Sequence, residues 1–267
     1  MEKLSKKDMM LISLMLFSMF FGAGNLIIPP FLGQLAGTSV KAATLGFIIS
    51  AVGLPILGVI TVSKAGGLYN LASRVHPIFA SVFTILIYVA IGPFLGIPRA
   101  GSLAFEMGVA PFLSNHINSG GWILFLYTLV YFSIAFWLSL TPSKLVERFG
   151  KVLTPLLLIL IFTIFIYSIF NPLGSFGDPS GEYAKTPFFK GILDGYVTMD
   201  TIAALNFGVV ISLTLKQMGI KDEKSLVSNS IRAGLIAGFL LTIIYIILAV
   251  LGAAKQSNLA PTANGAT

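Results

Sequence analysis

Phe20-Phe21-Gly22-Ala23-Gly24-Asn25-Leu26-Ile27-Ile28-Pro29-Pro30 lies inside the first long apolar segment of the chain. Apolar residues run from Met9 to Phe20 before it and from Leu26 to Leu32 within and beyond it. A glycine weakens a helix interior by about 1 kcal/mol relative to alanine, so Gly22 and Gly24 predict a break. In lipid, backbone groups freed by a break are tolerated only where they line a cavity or meet protein. A membrane helix interrupted here is therefore a candidate ligand site.

Outward from this stretch the whole chain is apolar. Its 267 residues are 56% hydrophobic and only 10% charged, with mean hydropathy +0.92. Soluble domains carry roughly 25% charged residues, so an all-α integral membrane protein is expected. The absence of cysteine excludes a disulfide framework, Cys-ligated zinc and a thiol nucleophile. The two histidines, His76 and His116, fall in different loops, so no histidine cluster can hold a transition metal. A net charge of +7 could suggest nucleic acid, but the positive residues are scattered between apolar spans. They read as a membrane orientation signal, and no nucleic-acid partner is expected. The basic start, Met1 to Lys7, imitates a signal peptide. The apolar run after it is too long for one and further spans follow, so it reads as a retained first helix.

About 20 residues are needed to cross the hydrocarbon core. Seven stretches qualify, within a single transmembrane domain over 1–267: Met9–Leu35, Ala42–Ser63, Pro77–Phe112, Trp122–Leu140, Val152–Phe170, Leu193–Leu215 and Ile231–Ala253. The third is too long for a straight span, and Gly92-Pro93 and Ile97-Pro98 are placed to bend or divide it. With the N-terminus in the cytoplasm, Lys3, Lys6, Lys7, Lys64, Arg74, Lys144, Arg148, Lys151, Lys216, Lys221, Lys224 and Arg232 fall inside. Lys41, Lys185, Lys190 and Lys255 fall outside, and Arg99 lies within the third segment. That bias, twelve against four, places the N-terminus inside and supports the count of seven spans. Asn115 to Gly121 reads as a turn.

Several residues could carry chemistry. Gly22-Ala23-Gly24-Asn25 reads as an unwound hinge. Half-helix N-termini attract a carboxylate, exposed carbonyls suit a cation, and the Asn25 side-chain carbonyl suits a hard cation. Close helix packing through small residues is the competing reading. The sixth span repeats the pattern: Gly195-Tyr196-Val197-Thr198-Met199-Asp200-Thr201 leads into Ile202-Ala203-Ala204-Leu205-Asn206-Phe207-Gly208. Broken helices at matching positions of two halves point to an inverted repeat with a midplane site. Asp200 either serves that site or snorkels to the outer interface, whereas Asp194 reads as interfacial. Arg99 and Glu106 share one face of the third segment, about 10.5 Å apart along a continuous helix. A charge at the bilayer centre costs roughly 2.5–3.5 kcal/mol, which suggests gating or coupling. The alternative puts both in an outer vestibule after Pro98. No GxxxxGK[ST], HExxH or G-x-S-x-G pattern occurs, so nucleotide-driven pumping and the commonest hydrolase chemistries lack support.

With those residues in view, the chain resembles the branched-chain amino acid carrier family of bacteria. Phe20 to Pro30, Ile97-Pro98-Arg99-Ala100-Gly101 through Glu106, and Gly195 through Gly208 carry the resemblance, which extends over essentially the whole chain. It implies a sodium- or proton-coupled symporter in the bacterial cytoplasmic membrane that takes up leucine, isoleucine and valine. It also implies the five-plus-five inverted-repeat fold of the amino acid–polyamine–organocation superfamily, with helices one and six broken. Sodium-coupled amino acid symporters of that fold carry a Gly-x-Gly-Asn run at the break of helix one. By that similarity Gly22 and Gly24 meet the substrate carboxylate, and Asn25 and Phe20 are the ion candidates. Phe207-Gly208 matches a Phe-Gly pair whose ring walls the substrate pocket, while Ala203 and Ala204 stand where hydroxyl ligands are common. Carriers of the family have about twelve helices, so the resemblance implies that a chain of seven is incomplete. No cofactor is expected beyond the coupling ion. The rival readings are a transporter of another small solute on this fold, a channel, and a membrane-embedded enzyme. A channel would need rings or a repeated filter, and an enzyme would need clustered acids or histidines.

Overall fold

The computed structural model describes residues 4–113, 121–140, 149–171 and 174–254. The turn expected at 115–121 lies almost wholly outside the described residues, as do Lys3, Lys144, Arg148, Lys255 and His116. Regular structure among the described residues is helical throughout.

Helix α1 (Lys6–Phe20) starts at Ser5, whose hydroxyl oxygen accepts from the Asp8 N–H at 3.1 Å. Asp8 in the first turn also suits the positive end of the helix dipole. The helix stops at Phe21 (φ −77°, ψ 80°) and Gly22 (φ −94°, ψ −174°), where the backbone is extended. Helix α2 (Ala23–Ala36) resumes directly and carries Pro29 and Pro30 inside it. Proline lacks an N–H, so these two remove the donors that would meet the carbonyls of Asn25 and Leu26. Gly37, at φ 49°, ends α2 and turns the chain. After it come α3 (Val40–Ile48), a wider turn at Ile49–Gly53, and α4 (Leu54–Ala65). A short α5 (Leu68–Ser73) leads to α6 (Pro77–Val89) and α7 (Gly96–Gly108). Then follow α8 (Trp122–Ser139), α9 (Thr154–Phe170), α10 (Pro187–Val197), α11 (Asp200–Gln217) and α12 (Glu223–Ala253).

Five helices among the described residues are long and apolar enough to cross a membrane, or six if α10 and α11, bent by 47°, form one span. Two features separate this from seven. Helix α1 has 15 residues and is too short alone. The run Ala23–Ala65 counts once although it has 43 residues. At 1.5 Å per residue that is about 65 Å, twice the hydrocarbon thickness, and the turn at Gly37 lies within it. The long third segment bends at Gly92 (φ −80°, ψ −110°), beside Pro93. Pro98 does not divide it. It sits in the first turn of α7, where a missing N–H leaves no acceptor unmet.

Between helices in lipid, close packing rather than the hydrophobic effect drives association. Here α2 crosses α12 and α10 crosses α3 with backbones touching. A Cβ on Gly33 would lie 1.9 Å from the Ala249 carbonyl oxygen, and one on Gly252 1.9 Å from that of Pro30. On the other crossing, a Cβ on Gly46 would lie 2.0 Å from the Phe188 oxygen, and one on Gly191 2.0 Å from that of Ala43. Around these crossings sits the core, with Phe17, Phe47, Leu241 and Tyr245 almost wholly buried. Helix α8 buries none of its residues, and its exposed faces are apolar.

Asp194 does more than sit at an interface. It accepts from the Lys190 ammonium at 2.6 Å and from the hydroxyl of Tyr183, a buried residue of the preceding loop. Burial and the Asp194 bond push the Tyr183 phenol above its ordinary range. Together these contacts fix the loop before α10.

Candidate functional site

The two helix breaks face each other. In the sixth segment the interruption falls at Thr198 and Met199, between α10 and α11. Met199 has φ 65°, the single positive-φ residue other than glycine among those described. An L-residue held there costs on the order of 1–2 kcal/mol, so the surrounding packing imposes the turn. The break carries Asp200 to the first position of α11.

Asn25 joins the two breaks. Its amide nitrogen donates to Asp200 Oδ2 and to Tyr245 Oη, each at 2.5 Å. Its carbonyl oxygen accepts from the Gly22 N–H at 3.3 Å, which caps α2 from within. Asn25, Asp200 and Tyr245 are 2%, 5% and 0% exposed. The acid therefore does not snorkel to an interface. The Thr198 hydroxyl donates to the Gly195 carbonyl at 2.8 Å and so helps to close the end of α10. Among the described residues Asp200 has no basic partner within 4.0 Å. Tyr245, on α12, is held by Phe47 edge-on at 5.2 Å and by the Phe21 ring at 6.4 Å.

Beside this junction lies a cavity of about 240 Å³. Phe20 of α1, Gly22 of the break, Ala23 to Asn25 of α2, and Thr198 to Asp200 line it, with Ile202 and Ala203 of α11. The third segment closes another side through Ile91, Leu95, Arg99 and Leu103. The walls are mostly apolar, with a few converging polar groups, which is the composition of a small-molecule site. The N–H groups of Ala23 and Gly24 belong to the first turn of α2, and those of Asp200 and Thr201 to the first turn of α11. First-turn N–H groups have no intrahelical acceptor.

Of the residues singled out from the sequence, the structure gathers Phe20, Gly22, Gly24, Asn25, Arg99 and Asp200 around this cavity. The two glycines make no close helix crossing. A Cβ on Gly22 would meet only the Asn25 side chain at 3.7 Å, and one on Gly24 would meet Arg99 Nη2 at 3.7 Å. Arg99 lines the cavity from the first turn of α7, which follows the bend at Gly92. Its Nη1 lies 3.7 Å from Met199 Sδ. Glu106 stands apart, exposed two turns further along α7. Phe207 and Gly208 lie outside the cavity lining, two turns into α11 rather than at its break. Phe207 packs its ring edge-on against Phe20 at 5.2 Å. A Cβ on Gly208 would lie 2.9 Å from Val62 Cβ, so this glycine serves the contact of α11 with α4.

Tyr245, Thr198 and Met199 belong to the site and were not singled out as ligands. A tyrosine amid Ile243, Ile244, Ile246 and Ile247 was the available signal for the first of them. Such a hydroxyl, deep in an apolar run, needs a partner. No cluster of three or more acids or histidines able to hold a metal occurs among the described residues.

The family model described as "Branched-chain amino acid transport protein" matches residues 5–267. A branched-chain amino acid permease, BraB, of Bacillus subtilis is 43% identical over 266 residues, covering 99% of this chain and 59% of that protein. The branched-chain amino acid transport system 2 carrier protein of Pseudomonas aeruginosa is 41% identical over 259 residues, covering 97% and 58%. The Escherichia coli permease BrnQ is 36% identical over 266 residues, covering 99% and 60%. The chain thus spans about three-fifths of the length of the curated relatives it matches, all three of them named as permeases or carriers. No solved structure matches it.

Proposed function

The chain belongs to the branched-chain amino acid transport protein family, and from that premise we propose that its two helix breaks form the binding site of a cation-coupled importer of leucine, isoleucine and valine. The observation that carries this reading is the Asn25–Asp200 hydrogen bond, which ties the breaks together at the wall of the cavity. A branched apolar side chain rests against Phe20, Ile91, Leu95, Leu103 and Ile202. Its carboxylate meets the free N–H groups at the start of α2, where the helix dipole favours an anion. Phe207 supports Phe20 from behind. The ion binds at Asn25, Asp200 and the Phe20 carbonyl if it is sodium, or resides on Asp200 if it is a proton. Either neutralises a buried carboxylate whose isolation costs several kcal/mol. Binding there favours one arrangement of the broken helices over the other, which is the basis of alternating access.

The packing supports the five-plus-five inverted repeat. Helices α1 and α2 lie on α12, whereas α10 and α11 lie on α3 and α4. Exchanging span one for six and span two for seven maps one set of contacts onto the other. In this reading the spans number seven, the N-terminus faces the cytoplasm of a bacterium, and lipid surrounds the exposed apolar helices.

The test is equilibrium binding of leucine to the full-length protein in nanodiscs, with sodium or choline as the cation and across pH. Saturable binding, displaced by isoleucine and valine and strengthened by sodium or by acid, is expected. Leucine binding indifferent to both would refute coupling, and no saturable binding would refute the site.

A further inference from the structure

We propose that Arg99 is the carboxylate anchor of this site: its guanidinium and the first turn of α2 grip the carboxylate of a zwitterionic amino acid from two sides. The inference rests on the transport reading and adds to it the group that selects an acid over an amine or an alcohol.

The cavity lining among the described residues contains one basic side chain, Arg99, and one acidic side chain, Asp200. They do not pair, since no N···O separation between them is within 4.0 Å. Arg99 instead points at the start of both half-helices. Its Nη2 lies 3.7 Å from where a Gly24 Cβ would be, and its Nη1 lies 3.7 Å from Met199 Sδ. Gly24 is in the first turn of α2, and Met199 precedes the first turn of α11. A helix N-terminus carries roughly half a positive charge, so a guanidinium set against two of them is unfavourable by itself. A carboxylate in the shared cavity offsets this repulsion, because it attracts the guanidinium and both helix N-termini. The apolar remainder of the cavity then suits an uncharged side chain and would resist a second charge. The planar guanidinium offers a carboxylate two parallel hydrogen bonds, which a lysine ammonium cannot reproduce.

The absence of a Cβ at Gly24 keeps the approach open. The space between the α2 backbone and Nη2 is where the carboxylate would sit, and a side chain at position 24 would enter it. Asp200, bonded to Asn25 across the junction, remains with the ion.

The experiment compares leucine, leucinol and 4-methylpentanoate as competitors of labelled leucine on the full-length protein in nanodiscs. The second ligand lacks the carboxylate and the third lacks the ammonium group. Arg99→Gln should weaken leucine and 4-methylpentanoate by roughly tenfold to a hundredfold, the worth of a charge-assisted hydrogen bond, and leucinol by less than threefold. Arg99→Lys should fall between. Equal losses for leucine and leucinol, or no loss for leucine, overturn the anchor while leaving the transport reading in place. A wild-type protein that binds no leucine overturns the transport reading and the anchor with it. A second measurement needs no variant. Phenylglyoxal modification of Arg99, read by peptide mass spectrometry, should be blocked by leucine and not by leucinol. Equal protection by both, or by neither, counts against the anchor.

Discussion

Replacing Asn25 by alanine removes three hydrogen bonds at the junction of the two breaks. The bond to Asp200 is to an acid and is worth about 1.5–3 kcal/mol when that acid is charged. The bonds to Tyr245 Oη and from the Gly22 N–H are worth about 0.5–1.5 kcal/mol each. Simple addition gives roughly 2.5–6 kcal/mol, but one side chain makes all three, so a loss near 3–4 kcal/mol is expected. The informative quantity is the coupling. Asn25→Ala combined with Asp200→Ala should be less destabilised than the sum of the single variants by about 1.5–3 kcal/mol. The corresponding cycle with Tyr245→Phe should couple by about 1 kcal/mol. Unfolding of the purified protein by SDS in mixed micelles measures both cycles. Couplings below about 0.5 kcal/mol in both, which is the scatter of independent sites, would refute the claim that Asn25 ties the breaks together.

Other expectations concern packing and pH. Gly33→Ala and Gly191→Ala place a methyl group within 2.0 Å of a carbonyl oxygen on the facing helix. Each should destabilise the protein by at least the 1–3 kcal/mol typical of overpacking, whereas Gly53→Ala, at a position that has helical φ/ψ and meets nothing within 4 Å, should stabilise it by about 0.4–1 kcal/mol. Phe207→Ala should weaken leucine binding severalfold through loss of its edge contact with Phe20, worth about 0.5–1.5 kcal/mol. Phe20→Ala should weaken it more, because Phe20 itself lines the cavity, and the reverse order in a binding assay would contradict this arrangement. Asp222 caps α12, and bonds from the Ser225 hydroxyl at 2.7 Å and N–H at 3.0 Å hold its carboxyl below the usual range. A depressed carboxyl stabilises the fold above its unfolded value near pH 4 and loses that contribution as pH falls through the folded value. The midpoints of wild type and Asp222→Asn should therefore differ at pH 7 and converge in acid, and a constant gap would contradict the cap.

The first break was legible because its signal is chemical: two glycines and an asparagine have few other uses within an apolar helix. The second was legible only as a region. Its turn is made by Met199 in the left-handed conformation, where glycine is the usual residue, so nothing in the sequence marked the position. Phe207-Gly208 attracted attention through a two-residue match, but a motif does not fix depth, and both residues fall two turns beyond the break. Arg99 was ambiguous because its place depends on the direction of α7, which the bend at Gly92 sets. Tyr245 was missed since a single tyrosine among isoleucines reads as another packing residue. The glycines with the severest packing role, Gly33, Gly46, Gly191 and Gly252, depend on contacts between distant spans, which no local pattern reveals. The span count diverged for a similar reason: a tight turn at Gly37 leaves helix on both sides.

The central claim is that the two breaks form one amino acid site. These 267 residues contain no cysteine, so on a background in which any cysteine beyond them is replaced, single-cysteine variants report one position each. Ala23→Cys samples the first break and Ile202→Cys the second, both at the cavity wall. The rate of thiol labelling in the full-length protein, measured against leucine concentration, tests the claim most directly. Protection of both positions with the same half-saturating concentration is predicted. Protection of only one, protection of neither, or two different concentrations would contradict it.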